Sequence, residues 1–220
     1  MVYIGVLGGT GPAGRAVAAR LASVGIDVTV GSRSHDRARA TCDAICDEWS
    51  SRALPLVGGE NTDAAAADLV IVATPWDAAP ATVAGVASQL EGKVLVSMAN
   101  AVVRLGDEFV PLLPPRGSVA GSIQAVAPRS MVAAALHHLP ARELLDLDHD
   151  LQADVLVCSD HPEAIAATSE LISKVPGLRA INAGSLSAAT AIEALTPVLL
   201  NINRHYHTRA SIQLTNLEVR

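Results

Sequence analysis

The sequence predicts an α/β protein built on a doubly wound parallel sheet, with a smaller α/β unit towards its C-terminus. Three observations carry this prediction. Short, almost wholly apolar runs alternate with Ala-rich stretches of helical length, Leu69-Val70-Ile71-Val72 being the clearest run. A strand apolar on both sides has helices covering both faces of its sheet, as parallel sheets require. A glycine cluster stands directly between the first apolar run and the first helical stretch. Right-handed crossovers then carry the chain to both faces.

Each element follows from local pattern. Residues 2–7 read as a buried strand, and residues 14–24 as a helix that Gly25 ends. Residues 27–30 form a second strand. Residues 34–49 form a second helix with Ser34 as N-cap, whose hydroxyl can accept a free backbone N–H. A weak strand at 54–57, a short helix at 61–67, a strand at 69–73, a helix at 78–90 and a strand at 93–97 complete the regular part. Beyond Asn100 the pattern loosens. Pro111, Pro114 and Pro115 place a loop at 110–117, and a helix at 118–126 stops before Pro128. A sixth strand at 132–136 runs into His137-His138-Leu139-Pro140. A strand at 154–158, a helix at 164–175 and a short strand at 179–182 follow. Residues 187–209 read as a long helix kinked near Pro197, which has no N–H to donate. The expected division is a dinucleotide-binding domain at 1–140 and a small C-terminal domain at 141–220.

Composition narrows the function classes. Half of the 220 residues are hydrophobic and 17% are charged, which supports a sizeable core. The formal net charge of −6, with no run of Lys or Arg, argues against broad nucleic-acid binding. No stretch is apolar for long enough to read as a membrane span, and no signal-peptide pattern precedes the first strand. The three cysteines, Cys42, Cys46 and Cys158, show neither disulfide nor metal spacing, so a cytoplasmic protein with reduced thiols and no bound metal is expected.

The glycine cluster is Gly8-Gly9-Thr10-Gly11-Pro12-Ala13-Gly14, and Gly9, Gly11 and Gly14 have G-x-G-x-x-G spacing. The first of these glycines permits a tight turn, the second lets the backbone approach a pyrophosphate, and the third packs the helix on the strand. Free N–H groups at the helix N-terminus then face the phosphates. This predicts a Rossmann-type dinucleotide site. Folds that prefer NAD carry Asp or Glu at the end of the second strand for the ribose 2′-hydroxyl. Here the chain reads Gly31-Ser32-Arg33-Ser34, with Arg37 a turn later. A hydroxyl and guanidinium groups suit a 2′-phosphate, so NADP(H) is the expected cofactor, with Thr10 leaning to the same place. Thr74-Pro75-Trp76 and Ala99-Asn100 follow the fourth and fifth strands, at the carboxyl edge where such sheets bind ligands. His137 is a candidate for orienting a ligand carbonyl. No residue is singled out as an obligatory acid, base or nucleophile.

Together, several segments resemble the NADPH-dependent coenzyme F-420 reductase family. They are the glycine loop, Gly31-Ser32-Arg33, Thr74-Pro75-Trp76, the stretch from Ala135-Leu136-His137-His138 through Pro140-Ala141, Asp154-Val155-Leu156-Val157-Cys158, Ala183-Gly184, and Glu193-Ala194-Leu195-Thr196-Pro197 with the Leu199-Leu200-Asn201 run behind it. The resemblance runs nearly end to end. It implies reversible hydride transfer between NADP(H) and the 5-deazaflavin coenzyme F-420, and a homodimer. By position it implies that Thr10, Ser32 and Arg33 hold the 2′-phosphate, with Arg37 in place of a further basic residue, and that His137 lies at the deazaflavin. The stretch Ser97-Met98-Ala99-Asn100-Ala101 departs from the archaeal form of the family. Two other readings compete: an NADPH-dependent flavin or ferric reductase, and a non-enzymatic NADP(H) sensor.

Overall fold

In the computed structural model, which describes residues 2–217, the chain alternates strand and helix through its first half. β1 is Ile4–Leu7, β2 Val28–Ser32, β3 Leu56–Glu60, β4 Leu69–Val72 and β5 Val94–Ser97. Between them lie α1 (Pro12–Ser23), α2 (His35–Glu48), α3 (Asn61–Ala65) and α4 (Ala79–Ala84). The second half adds a hairpin of β6 (Val102–Leu105) and β7 (Glu108–Pro111), then α5 (Val119–Val126), β8 (Met131–Ala134) and α6 (Ala141–Leu145). β9 (Ala153–Ser159), α7 (Pro162–Ser173), β10 (Leu178–Asn182) and α8 (Ala189–Tyr206) complete it.

The main sheet has eight strands in the order β10-β9-β8-β5-β4-β1-β2-β3. The six from β3 to β8 run parallel. β9 is antiparallel to β8, and β10 is parallel to β9. Residues beyond 140 therefore extend the same sheet, with a reversal of direction at the β8–β9 step.

Alternation along each strand feeds two separate cores. Ile4, Val6, Ile71, Val96, Ala133 and Val155 pack on one face with Val17 and Leu21 of α1, Leu144 of α6 and Leu171 of α7. Leu7, Val70, Val72, Leu95 and Val132 pack on the other with Ala64, Val83, Ile123 and Ile192. Both sides of each central strand are thus buried, which explains the unbroken apolar runs. Small residues set the spacing: a Cβ on Gly5 would lie 1.8 Å from the Ala64 carbonyl oxygen, so α3 rests directly on β1.

The differences from expectation have local causes. The helix expected at 78–90 is α4 followed by a single 3-10 turn at Ala87–Gln89. Gly85 caps α4, and Val86 at φ −127° has left the helical region. The hairpin β6–β7 was not expected, yet Gly106-Asp107 turns it with Gly106 at φ +58°. α6 was also missed; it is one turn and a half behind Pro140. The sixth strand stops at Ala134, because Leu136 takes φ +68° and turns the chain out of the sheet. The long C-terminal helix begins as a 3-10 turn at Leu186–Ala188. It keeps Pro197 inside α8 and ends at His207 in the left-handed region. Among the described residues, no helix is long and apolar enough to cross a membrane, and no cluster of side chains has the makings of a metal site.

Candidate functional site

The glycine loop joins β1 to α1 at the carboxyl edge of the sheet. Gly8 adopts φ +70°, a conformation L side chains rarely take. The Gly9 N–H donates to the Gly31 carbonyl (2.9 Å), tying the loop to the end of β2. A Cβ on Gly14 would lie 2.7 Å from the Gly9 Cα and 2.8 Å from the Gly8 carbonyl oxygen, so this glycine is needed for α1 to pack. Gly11 is different. The nearest atom to an added Cβ there is the Gly8 carbonyl oxygen at 3.5 Å, an ordinary contact. The protein's own packing does not demand a glycine at 11, whereas close approach of a ligand does.

α1 begins with Pro12, and Gly11 offers no side chain to cap it. Its first-turn N–H groups, at Ala13 and Gly14, have no carbonyl partner within the helix. Thr10 and Ala13 are half-buried beside them and Pro12 is exposed. At the end of β2, Ser32 is buried and its hydroxyl accepts from the Ser34 N–H (3.3 Å); Ser34 in turn caps α2 through the Arg37 N–H (3.3 Å). Arg33 and Arg37 are exposed. Among the described residues neither guanidinium has a hydrogen-bond or ion-pair partner, whereas the next arginine, Arg39, faces Asp43. Two exposed cations at the start of α2 and, separately, the uncapped N–H groups of α1 are each able to hold an anion.

The third part lies beyond β4. Thr74 is buried against the Gly8 turn, and its hydroxyl has no partner. Pro75 is exposed, and Trp76 packs half-buried against the second core.

The far end of the edge is made by β5, β8 and α8. Asn100 Nδ2 donates to the His137 carbonyl (3.2 Å). Thr196 of α8 places its hydroxyl 2.9 Å from Asn100 Oδ1 and 3.2 Å from the same carbonyl. Asn100 is therefore a tie between loops, and the contact of its amide with any ligand is limited to what this leaves free. Ala99 is buried beside it. His137 is buried with both ring nitrogens unpartnered. Burial first, then the neighbouring His138, pushes its pKa down to about 3, so the ring is neutral. A neutral imidazole has one N–H to give and one lone pair to accept.

Thr196 lies in the segment that carries the family resemblance, but no local pattern announces a tie across 96 residues. Glu193, one turn earlier on α8, also went unassigned. Its buried carboxylate accepts from the Val119 and Ala120 N–H groups (2.8 and 3.0 Å) at the start of α5. Burial pushes the Cys42 thiol up to about 12 and the Cys158 thiol up to about 11, which disfavours the thiolate at both.

Comparison with known proteins identifies the family. Residues 3–101 match the family model described as NADP oxidoreductase coenzyme F420-dependent. The chain is 35% identical to the F420-dependent NADP reductase of Methanocaldococcus jannaschii, over 98% of this chain and 99% of that one. It is 34% identical to the protein of the same name from Methanothermobacter thermautotrophicus, over 99% and 96%. A candidate F420-dependent NADP reductase from Arthrobacter sp. FB24, solved by crystallography, superposes with a TM-score of 0.81 at 26% identity, covering 97% of this chain and all of that one.

Proposed function

This chain belongs to the family of F420-dependent NADP reductases, and we propose that it moves a hydride reversibly between NADP(H) and coenzyme F-420. The observation that carries the NADP half is the unpaired Arg33 and Arg37 beside Ser32, where a carboxylate would serve NAD. The site fits the cofactor on two further counts: the open space at Gly11 and the uncapped N–H groups of α1.

When bound, the nicotinamide and the deazaflavin supply the hydride donor and acceptor. The protein's part is to hold two rings in contact and keep water out. Gly9, Gly11 and Gly14, with Pro12 and Ala13, form the cradle for the pyrophosphate. Thr10, Ser32, Arg33 and Arg37 take the 2′-phosphate. Thr74, Pro75 and Trp76 wall the cleft beyond β4, and Ala99, Asn100 and His137 close the acceptor end. His137 presents a neutral ring without protein partners, able to give one hydrogen bond to a ring oxygen or accept one from a ring N–H. The neutral His137 ring suits a transfer that needs no covalent intermediate.

The division near residue 140 is, on this reading, one of task. Residues 1–140 hold NADP(H); residues 141–220 complete the acceptor end and the subunit contact. Val198, Ile202 and Tyr206 lie four residues apart on one exposed face of α8, and Leu105 and Leu113 are exposed on the adjoining hairpin segment. A second copy of the chain covers this face in the proposed homodimer, and light scattering at micromolar concentration checks it. The cytoplasmic location belongs to the same reading and is supported by three free cysteines. The decisive experiment mixes purified protein with NADPH and F-420 and follows both absorbances. Oxidation of NADPH by flavin or ferric ion but not by F-420 overturns the acceptor assignment.

A further inference from the structure

Among the described carboxylates Asp154 has the least exposed surface, 0%, and the proposed cofactor site does not use it. It stands second in β9. Its two oxygens accept from Arg179 Nε and Nη2 of β10 (2.6 and 2.7 Å), and one also accepts from the Leu214 N–H (2.5 Å). Its own N–H donates to the Ile212 carbonyl (2.8 Å). The Arg179 guanidinium also donates to the Leu214 carbonyl (3.1 Å), and the Ser211 hydroxyl to the Gln152 carbonyl (3.0 Å). The segment 208–217 has no helix or strand of its own. It is held along the start of β9 by these bonds, most of which involve Asp154 or the side chain paired with it.

The other side of Asp154 faces the acceptor loop. Its carbonyl oxygen lies 2.7 Å from His138 Nε2. A carbonyl only accepts, so Nε2 carries the proton; Nδ1 is then a bare lone pair, buried and without a partner. Nothing else holds the His138 ring by hydrogen bond. His137, one residue earlier, has no ring hydrogen bond at all, so its orientation follows the backbone of 136–138. That backbone is fixed at three points: the Leu136 carbonyl, by the Leu139 N–H (3.2 Å); the His137 carbonyl, by Asn100 and Thr196; and the His138 ring, by Asp154, the one of the three that reaches β9.

We propose that Asp154 is a positioning residue that couples the C-terminal segment 208–217 to the His137–His138 loop, and so sets the acceptor end without touching a ligand. The acceptor half of this statement rests on the F-420 reading above; the coupling itself does not.

Two variants test it in the full-length chain. Asp154→Asn removes the charge that Arg179 grips. Leu214→Pro removes one donor to that carboxylate from an exposed position and leaves the ion pair in place, so it decides the matter if the Asp154 variant does not fold. Hydrogen exchange of amides in 210–214 and in 136–139 is read together with NADPH Kd and the KM and kcat for F-420. The expected result is faster exchange in both segments, an F-420 KM raised about 5- to 10-fold, and NADPH Kd within twofold of wild type. Faster exchange in 210–214 with an unchanged loop overturns the coupling. Equal losses in NADPH and F-420 overturn the positioning role. A wild type that transfers nothing to F-420 ends the acceptor reading, and the exchange data still decide the coupling.

Discussion

The proposed cofactor end of the cleft draws on residues 8–14 and the last residues of β2, whereas the proposed acceptor end is assembled from the ends of β5 and β8, from β9 and from α8. At the first end the polar groups face outwards and unspent: uncapped N–H groups on α1 and two guanidinium groups without partners. At the second they are spent on one another: Asn100 on His137 and Thr196, His138 on Asp154, Glu193 on α5. A group that waits for a ligand can be removed without loosening the fold. A group that ties two segments cannot. The prediction is that binding and stability separate cleanly at the cofactor end and mix at the acceptor end.

The largest expected effect tests the clean side. Gly11→Val places its side chain where nothing in the protein lies closer than 3.5 Å to the Cβ. It should weaken NADPH on the order of 1000-fold, about 4 kcal/mol, while the unfolding transition stays cooperative. Gly14→Ala is the control. Its Cβ overlaps the Gly9 backbone, so it should lose about 3 kcal/mol of stability by overpacking. Calorimetry and denaturant melts on both variants check the contrast. Gly11→Val binding NADPH normally would break it.

The next effect belongs to the mixed side. Burial holds the Glu193 carboxyl up at about 7, against the pull of the Ala120 and Val119 N–H groups. The folded protein therefore binds more protons here than the unfolded chain, whose value is 4.5. This contribution to stability is full below 4.5 and is lost as the pH rises through 7, about 3 kcal/mol in all. His137 acts oppositely. Its depressed pKa gives stability that is present above 6.5 and lost as the pH falls towards 3. Glu193→Gln isolates the first slope. Between pH 4.5 and 8 wild type should lose up to about 3 kcal/mol relative to the variant in urea melts; parallel curves would show that the carboxyl does not titrate in this range.

Arg33→Ala returns to the cofactor end with a smaller effect. Losing a charge-assisted bond to the 2′-phosphate should cost about 2 kcal/mol in NADPH binding. NADH binding and the melting temperature should be unchanged. Equal losses for both nucleotides would take the 2′-phosphate away from Arg33.

The same contrast explains what the sequence made legible. The glycine loop, the Ser32-Arg33 turn and the succession of strands along the chain through β5 depend on neighbours in sequence and on period, so they can be read from the chain. The Asn100–Thr196 tie spans 96 residues and Arg20's grip on the Leu144 carbonyl spans 124. A Thr or an Arg in a helix gives no local sign of such a partner. The β6–β7 hairpin is a different case. Its Gly106-Asp107 turn and the alternation of Val103-Arg104-Leu105 are visible in the chain, but residues 102–109 are assigned no element from sequence, and the prolines at 111, 114 and 115 place a loop at 110–117 that takes in the end of β7.

The smallest expected effect lies where the two ends meet, at His137. Its ring makes no hydrogen bond in the protein, so removing it breaks none, and the cost is the packing of a buried ring. Burial holds the group at about 3, so it is expected neither to supply nor to remove a proton during turnover. What remains is orientation of the acceptor. His137→Ala should raise the F-420 KM or lower kcat roughly tenfold, about 1.4 kcal/mol, with NADPH affinity kept. The pH profile of the transfer between 5 and 9 should keep its shape, because no proton is lost with the ring. A profile that changes shape would make His137 an acid or base and move it out of the orienting role. A tenfold loss of NADPH affinity instead would place the ring against the nicotinamide, and the boundary between the two ends would shift by one loop.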